Sequence, residues 1–152
     1  MRSVIQRVSE ASVEVDGATV ARIGSGLLAL VAVVPSDTDR DVAAMVTKIA
    51  NLRIFPDSDD LMNSSLVDRG GEVLVVSQFT LAASVRKGRR PSFSGAADPR
   101  MAEPMVESVA AGLASLGIGV QTGVFGARMA VALVNDGPVT FVIDTVQGSV
   151  VD

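Results

Sequence analysis

The sequence predicts an α+β fold: a strongly curved, mainly antiparallel, barrel-like sheet with two amphipathic helices, in a single domain that pairs as a dimer. Three observations carry this. Apolar runs of strand length are separated by Asp-Gly, Gly-Ser-Gly and Asn-Asp-Gly turns, as in hairpin-linked strands. Only two stretches, near residues 38–52 and 98–116, place apolar side chains at helical spacing. With 152 residues, 48% apolar and 20% charged, the chain can bury one core and lacks the composition of disorder. Strands with this much exposed edge pair readily with a second copy, hence the dimer.

Val4, Gln6 and Val8 alternate with Ile5 and Arg7, and Ser12 to Val15 continues the period of two. Asp16-Gly17 turns the chain into Ala18 to Ile23, and Gly24-Ser25-Gly26 turns it again. Leu27 to Val34 is a solid apolar run, which predicts a central strand buried on both faces. Thr38 and Asp41 make a capping-box pattern ahead of Val42, Met45, Val46, Ile49 and Leu52, the stripe of the first helix. Arg53-Ile54-Phe55 leaves it as an extended piece, followed by an acidic loop, Pro56 to Asp60, and an ordered loop, Met62 to Leu66. The acidic loop lacks the Gly and distal Glu of an EF-hand and reads as solvated.

After Gly70-Gly71, Glu72 to Phe79 is a strand. Asp98-Pro99 opens the second helix, with Val106, Val109, Ala110, Leu113 and Leu116 on its buried face and Gly117 and Gly119 as its stop. Val120 to Gly126 is a glycine-punctuated loop or short strand. Two strands follow, Met129 to Val134 and Val139 to Val146. Residues 147–152 read as a tail with little to hold it, so the domain is expected to span 1–146.

Composition excludes several kinds of chemistry. There is no Cys, so no disulfide or thiolate, and no His, which removes the usual general base near neutral pH and a common metal ligand. A Ser-His-Asp or Cys-His site is impossible within one chain. No Gly-x-Ser-x-Gly elbow or nucleotide-binding glycine pattern occurs, and the only lysines, Lys48 and Lys87, read as a helix-surface and a loop residue. No cofactor or metal is expected. The N-terminus has no apolar targeting core and no segment approaches ~18 uninterrupted apolar residues, so a soluble, cytoplasmic protein is expected.

Net charge is −4, from 13 basic and 17 acidic residues, so nucleic acid would have to meet a local patch. One candidate exists: Arg86, Lys87, Arg89 and Arg90 place four cations in five residues, and no carboxylate occurs from Val73 through Ala97. The run reads either as a solvated loop or as an anion-binding one, phosphate first. It leaves the strand end that carries Ser77-Gln78-Phe79-Thr80, which offers two hydroxyls and an amide.

The second candidate is Asn135-Asp136-Gly137-Pro138-Val139-Thr140. Asn and Asp bond their own backbone, Gly accepts positive φ and Pro fixes its own, so spacing alone reads a hairpin turn. The alternative is a cis Gly137-Pro138 bond. An enzyme without His or Cys must work by positioning and by hydrogen bonds to developing charge, which suits an already activated ester.

Along nearly its whole length the chain resembles the bacterial D-aminoacyl-tRNA deacylases. The matching runs are Met1-Arg2, Ile5-Gln6-Arg7-Val8, Leu52 to Phe55, Met62-Asn63, Ser77 to Leu81, Lys87 to Phe93, Thr122 to Ala127 and Leu133 to Thr140. The resemblance implies a homodimer that hydrolyses the ester joining a D-amino acid, or mischarged glycine, to the tRNA 3′ end. It implies that a cis Gly137-Pro138, with Val139 and Thr140, reaches across the dimer as a chirality filter. Ser77, Gln78, Phe79 and Thr80 then receive the ester, with the Phe79 N–H or Gln78 amide near its carbonyl oxygen. It leaves two activators open, the Thr80 hydroxyl or the 2′-hydroxyl of the tRNA's terminal ribose. Arg86, Lys87, Arg89 and Arg90 become candidate tRNA contacts.

Two features depart from the family pattern. Ala82-Ala83-Ser84 stands where many relatives carry a bulky residue and then Asp. No Tyr or Trp exists to stack a base, which leaves Phe79, Phe93, Phe125 and Phe141. The competing readings are a non-catalytic tRNA-binding module on the same fold and a deacylase of looser chirality.

Overall fold

The computed structural model describes residues 1–151. In chain order, β1 (Arg2–Val15), β2 (Ala18–Ile23) and β3 (Gly26–Ala32) lead into α1 (Asp39–Asn51). A small hairpin, β4 (Phe55–Pro56) and β5 (Met62–Ser64), and a one-turn helix, α2 (Leu66–Arg69), come next. β6 (Glu72–Ser77) runs into a 3₁₀ turn (Phe79–Ala82), and α3 (Pro99–Ser115) leads to β7 (Gly119–Thr122). A long strand, β8 (Ala130–Val146), and a short one, β9 (Ser149–Val151), complete the fold. The main sheet runs β7-β6-β3-β1-β8-β9, with β2 also paired to β1, and curls into a half-barrel.

The sheet is mixed rather than mainly antiparallel. β1 pairs antiparallel with β2, β3 and β8, and β8 with β9, whereas β3, β6 and β7 are parallel neighbours. The reason lies in the connections. α1 lies between β3 and β6 and α3 between β6 and β7, and a parallel pair needs such a crossover. The two long helices fall where the apolar stripes placed them, with α2 as an unforeseen third.

β1 is long enough to serve two partners on one edge: Arg2 to Val8 face β3, and Ala11 to Val15 face β2. The sheet therefore buries both faces. Toward the helices, Ile5, Leu27, Val31, Val73 and Val75 pack with Met45, Ile49, Val109 and Leu113. Inside the curl, Val8, Val13, Ile23, Leu28, Leu74 and Val76 form a second core. β3 and β6 contribute alternate residues to each, which explains their unbroken apolar runs.

Two expectations are overturned. Asn135 to Thr140 is no hairpin turn; β8 runs straight through it, opposite β1, with register shifts between Gln6 and Val8 and between Val8 and Glu10. The ladder resumes on both sides, so the turn-forming residues bulge the strand instead of reversing it. Nor are residues 147–151 of the expected tail loose, Asp152 lying outside the described residues. Ser149 to Val151 pair with Val146 to Asp144, and the Gly148 N–H donates to Asp41 Oδ1 at 3.0 Å.

Asp41 is fully buried and joins three elements. Its other oxygen accepts the Thr38 N–H at 3.0 Å, completing the capping box of α1, while Gly148 brings in the β8–β9 turn. Burial pushes its carboxyl up, but hydrogen bonds from Gly148 and Thr38 outweigh this and hold it below the ordinary carboxylate value. Beside it, the Met1 amine pairs with Asp37 and donates to the Thr145 carbonyl at 2.8 Å.

Because Asp41's folded value is depressed, its contribution is complete above about pH 4 and is lost as pH falls through the folded value. Asp41→Asn is expected to cost ~1–3 kcal/mol at neutral pH by leaving buried N–H donors badly matched. Thermal unfolding across pH checks this: the gap between wild type and variant should be full at pH 7 and close on acidification.

Candidate active site

The C-terminal ends of the parallel strands β3, β6 and β7 converge on a cleft of about 370 Å³. Such ends are where crossover topology leaves room for a ligand. Val31, Ala32 and Val33 form its floor, Ser77, Gln78 and Phe79 one wall, and Ala97, Pro99, Ala102 and Val106 at the start of α3 another. Phe93 and Phe125 close it. Phe79 and Phe93 meet edge to face with centroids 5.1 Å apart, both rings largely exposed. The cleft is thus apolar and aromatic with one polar rim, the shape of a small-ligand site.

Its local structure follows from the sequence. β6 is held on both sides, so Ser77 sits on a fixed strand end, opposite Val31 of β3. The Gln78 N–H donates to the Val31 carbonyl at 2.7 Å, extending that pairing one residue. The chain then enters the 3₁₀ turn, whose leading N–H groups, those of Phe79 and Thr80, have no carbonyl within the turn to bond. Gln78 Nε2 donates to Thr80 Oγ1, so two of the candidate side chains are tied together. Thr80 itself is exposed and does not line the cleft.

The basic run follows as a loop closed by two bonds between Ser84 and Ser92, of 2.8 and 2.9 Å. Gly88 turns its tip with φ +70°. Arg86, Lys87, Arg89 and Arg90 are all exposed, and among the described residues no ion pair engages them. The loop leads to Phe93, which lines the cleft, while none of its cations does.

Gly137, Pro138, Val139 and Thr140 lie elsewhere. Ser77 neighbours Val31, Val31 neighbours Ser3 and Ser3 neighbours Ile143, which stands six residues past Gly137 on β8. Along the sheet surface that is roughly 14 Å across and 20 Å lengthwise. One chain does not bring its two motifs together. Asp136, Gly137 and Pro138 are exposed, and the Gly137-Pro138 bond is cis. Gly137 has φ +149°, and a Cβ there would stand 2.5 Å from the Val139 nitrogen, so only glycine fits.

Asn135, from the candidate run itself, and Gln6 and Arg7, to which spacing gave no role, hold this bulge in shape. Asn135 Oδ1 accepts the Val139 N–H at 2.8 Å, while Asn135 Nδ2 donates to Thr140 Oγ1 at 3.0 Å. Gln6 Nε2 also donates to Thr140 Oγ1, at 3.2 Å. Arg7 Nε donates to the Asp136 carbonyl at 3.0 Å and Arg7 Nη1 to the Ile54 carbonyl at 2.7 Å, tying the bulge to the segment before β4. The apolar residues at and just before the head of α3 are not singled out as site residues by the sequence: Val106 reads as part of the buried helix face, and Ala97 and Ala102 carry no motif. Phe141 is on β8, away from the cleft.

Asn135→Ala removes both ends of the clamp. It is expected to lower stability by ~1–2 kcal/mol and to loosen the bulge selectively. Amide exchange should speed up at Val139 and Thr140 while the β3 and β6 amides stay protected.

A sequence model of the D-Tyr-tRNA(Tyr) deacylase family matches residues 4–144. The D-aminoacyl-tRNA deacylase of Dinoroseobacter shibae is 61% identical over 92% of this chain and 97% of its own length. That of Roseiflexus castenholzii is 59% identical over 95% of this chain and 92% of its own. Among solved structures, a c-Myc DNA unwinding element binding protein superposes with TM-score 0.90 at 38% identity, covering 95% of this chain and 99% of that one. A probable eukaryotic D-amino acid tRNA deacylase shares the fold, with TM-score 0.80 at 19% identity over 93% and 97% of the two chains. This chain belongs to the D-Tyr-tRNA(Tyr) deacylase family.

Proposed function

We infer that this protein is a hydrolase that cleaves the ester between a D-amino acid, or mischarged glycine, and the 3′ end of tRNA, a proofreading step of translation in the cytoplasm. The observation that carries the reading is the pair of motifs on one chain. One rims an aromatic cleft that holds no general base, and the other projects from the surface without a cleft of its own.

The geometry suits a homodimer in which Gly137-Pro138 of one copy enters the other's cleft. Among the described residues, β8 has no strand partner outside residues 144–146 on its outer edge, and Val134, Phe141 and Val142 are exposed along it. A free strand edge with apolar side chains is a surface made for a second copy. The bulge, fixed by Asn135, Gln6 and Arg7 and anchored by Val139, which is buried in the core, would then present Gly137, Pro138 and Thr140 as a rigid wall that leaves no space for an L side chain.

The terminal base of the tRNA fits among Phe79, Phe93 and Phe125, and Arg86, Lys87, Arg89 and Arg90 meet the phosphates behind it. The ester carbonyl lies at the 3₁₀ turn, where the Phe79 N–H or the Gln78 amide stabilises the oxyanion. Water adds to the carbonyl carbon, passes a proton to the ribose 2′-hydroxyl as that group relays its own, and the 3′-oxygen leaves protonated. Thr80 makes a poor nucleophile, because its hydroxyl accepts from Gln78 and no base in the chain stands ready to take its proton.

Purified protein is expected to hydrolyse D-tyrosyl-tRNA and spare L-tyrosyl-tRNA at equal catalytic concentration. Loss of both esters would sink the chirality filter, and binding without loss of either would favour the tRNA-binding module. Thr80→Ala should keep most of the activity, and near-complete loss in a folded variant would make Thr80 the nucleophile. Val142→Asp should yield a folded monomer by sedimentation, with activity reduced on the order of a hundredfold through the missing wall.

A further inference from the structure

The 3₁₀ turn from Phe79 to Ala82 has none of its residues buried. It is a thin wall between two spaces. The cleft of about 370 Å³ lies in front, beside Ser77, Gln78 and Phe79. A second cavity of about 390 Å³ lies behind, lined by Leu81, Ala82, Ala83, Arg2 and Asp144 among others. Phe79 leans on the Phe93 ring and Leu81 and Ala82 are half-buried, but no side chain of the turn is anchored in the core, so polar contacts matter for its position. At its start, the Gln78 N–H is fastened to Val31. At its far end, Arg2 Nη1 points to the Leu81 carbonyl at 3.5 Å, the long end of hydrogen-bond range.

Arg2 is itself held rigidly. Its Nε and Nη2 meet the two oxygens of Asp144 at 2.7 and 2.8 Å, a two-pronged fork between register partners on β1 and β8. The hydrogen bond to Asp144 raises the Arg2 guanidinium's value, and the same bond leads the lowering of the Asp144 carboxyl. With two nitrogens committed, the plane of the guanidinium is set and the third faces the turn. The pair is 47% and 26% exposed, and exposed pairs add little to overall stability. Its place behind the turn is the more telling property.

We propose that Arg2 and Asp144 are positioning residues for the reaction: the fork braces the Leu81 end of the 3₁₀ turn from behind and so fixes the Phe79 N–H and Gln78 amide at the front. The proposal rests on the deacylase reading for its effect on rate, but not for the brace itself. Lysine cannot substitute, because one ammonium cannot grip both carboxylate oxygens in plane and still reach the turn.

Two measurements on the full chain test this. In single-turnover hydrolysis of D-tyrosyl-tRNA, Arg2→Gln should lower the rate constant on the order of tenfold, with half-saturation moving by less than about twofold. Arg2→Lys should remain impaired, and both variants should melt near the wild type. In the free protein, ¹⁵N relaxation dispersion should show new exchange at the amides of Phe79 to Ala82 in Arg2→Gln. An unchanged rate with a quiet turn would overturn the brace. So would full rescue by Arg2→Lys, or a rate loss that merely follows a lowered melting temperature. A wild type inactive on every aminoacyl-tRNA, with a turn that still loosens on substitution, would overturn the deacylase reading and leave the brace standing.

Discussion

The structure depends first on the ladder between β1 and β8, which pairs Arg2 with Asp144 at one end and Glu14 with Ala130 at the other. It is interrupted where Gly137-Pro138 bulges opposite Arg7, and again on β1 between Val8 and Glu10. β1 also pairs with β3 and β2, which share its other edge. Bending β1 far enough to serve both gives the sheet its curl and folds one face into a closed core. The bulge survives in mid-ladder because side chains replace the missing backbone bonds. Asn135 answers the Val139 N–H, and Arg7 answers the Asp136 carbonyl. Those substitutes stiffen the strand at the point where its backbone stands out from the surface.

The antiparallel and parallel halves of the sheet carry different features. β3, β6 and β7 lie parallel, with α1 and α3 in the crossovers, and their C-terminal ends form the cleft. The β1–β8 half forms the bulge and the free edge. The two motifs thus stand on separate halves of the sheet, and within one chain the exposed Gly137-Pro138 bulge does not reach the cleft beside Ser77. The proposed dimer would bring them together across two copies.

Much of this was legible in the residues, though unevenly. The Asp16-Gly17 hairpin, the doubly buried β3, the capping box of α1 and the Asp98-Pro99 start of α3 each follow from a local rule, and each is present. What failed depended on distant partners. Asn-Asp-Gly-Pro is turn chemistry in isolation, and only the ladder with β1 on both sides turns it into a bulge. The segment after Val146 looked unheld because its anchor, Asp41, lies more than a hundred residues away. The parallel pairing could not be read from hairpin signals, since crossover strands share none. The family motifs located Ser77 to Thr80 and Gly137 to Thr140, but not the alanines and valine at the head of α3 that complete the cleft.

The absence of His and Cys sets a stricter demand on this fold than on an enzyme with its own base. Where a side chain takes the proton, some looseness is tolerated, because the base can follow the reacting atom. In the proposed reaction the protein would offer only N–H groups and an amide, whose value depends on distance, and preorganised donors lose most of their effect once displaced. The strand before the turn meets that demand, being paired on both edges and buried on both faces. The turn itself does not, for it has no buried residue and open space on each side. A polar brace at its far end is therefore what the chemistry calls for. The fork of Arg2 and Asp144, set at the end of the same ladder that carries the bulge, is the group placed to supply it.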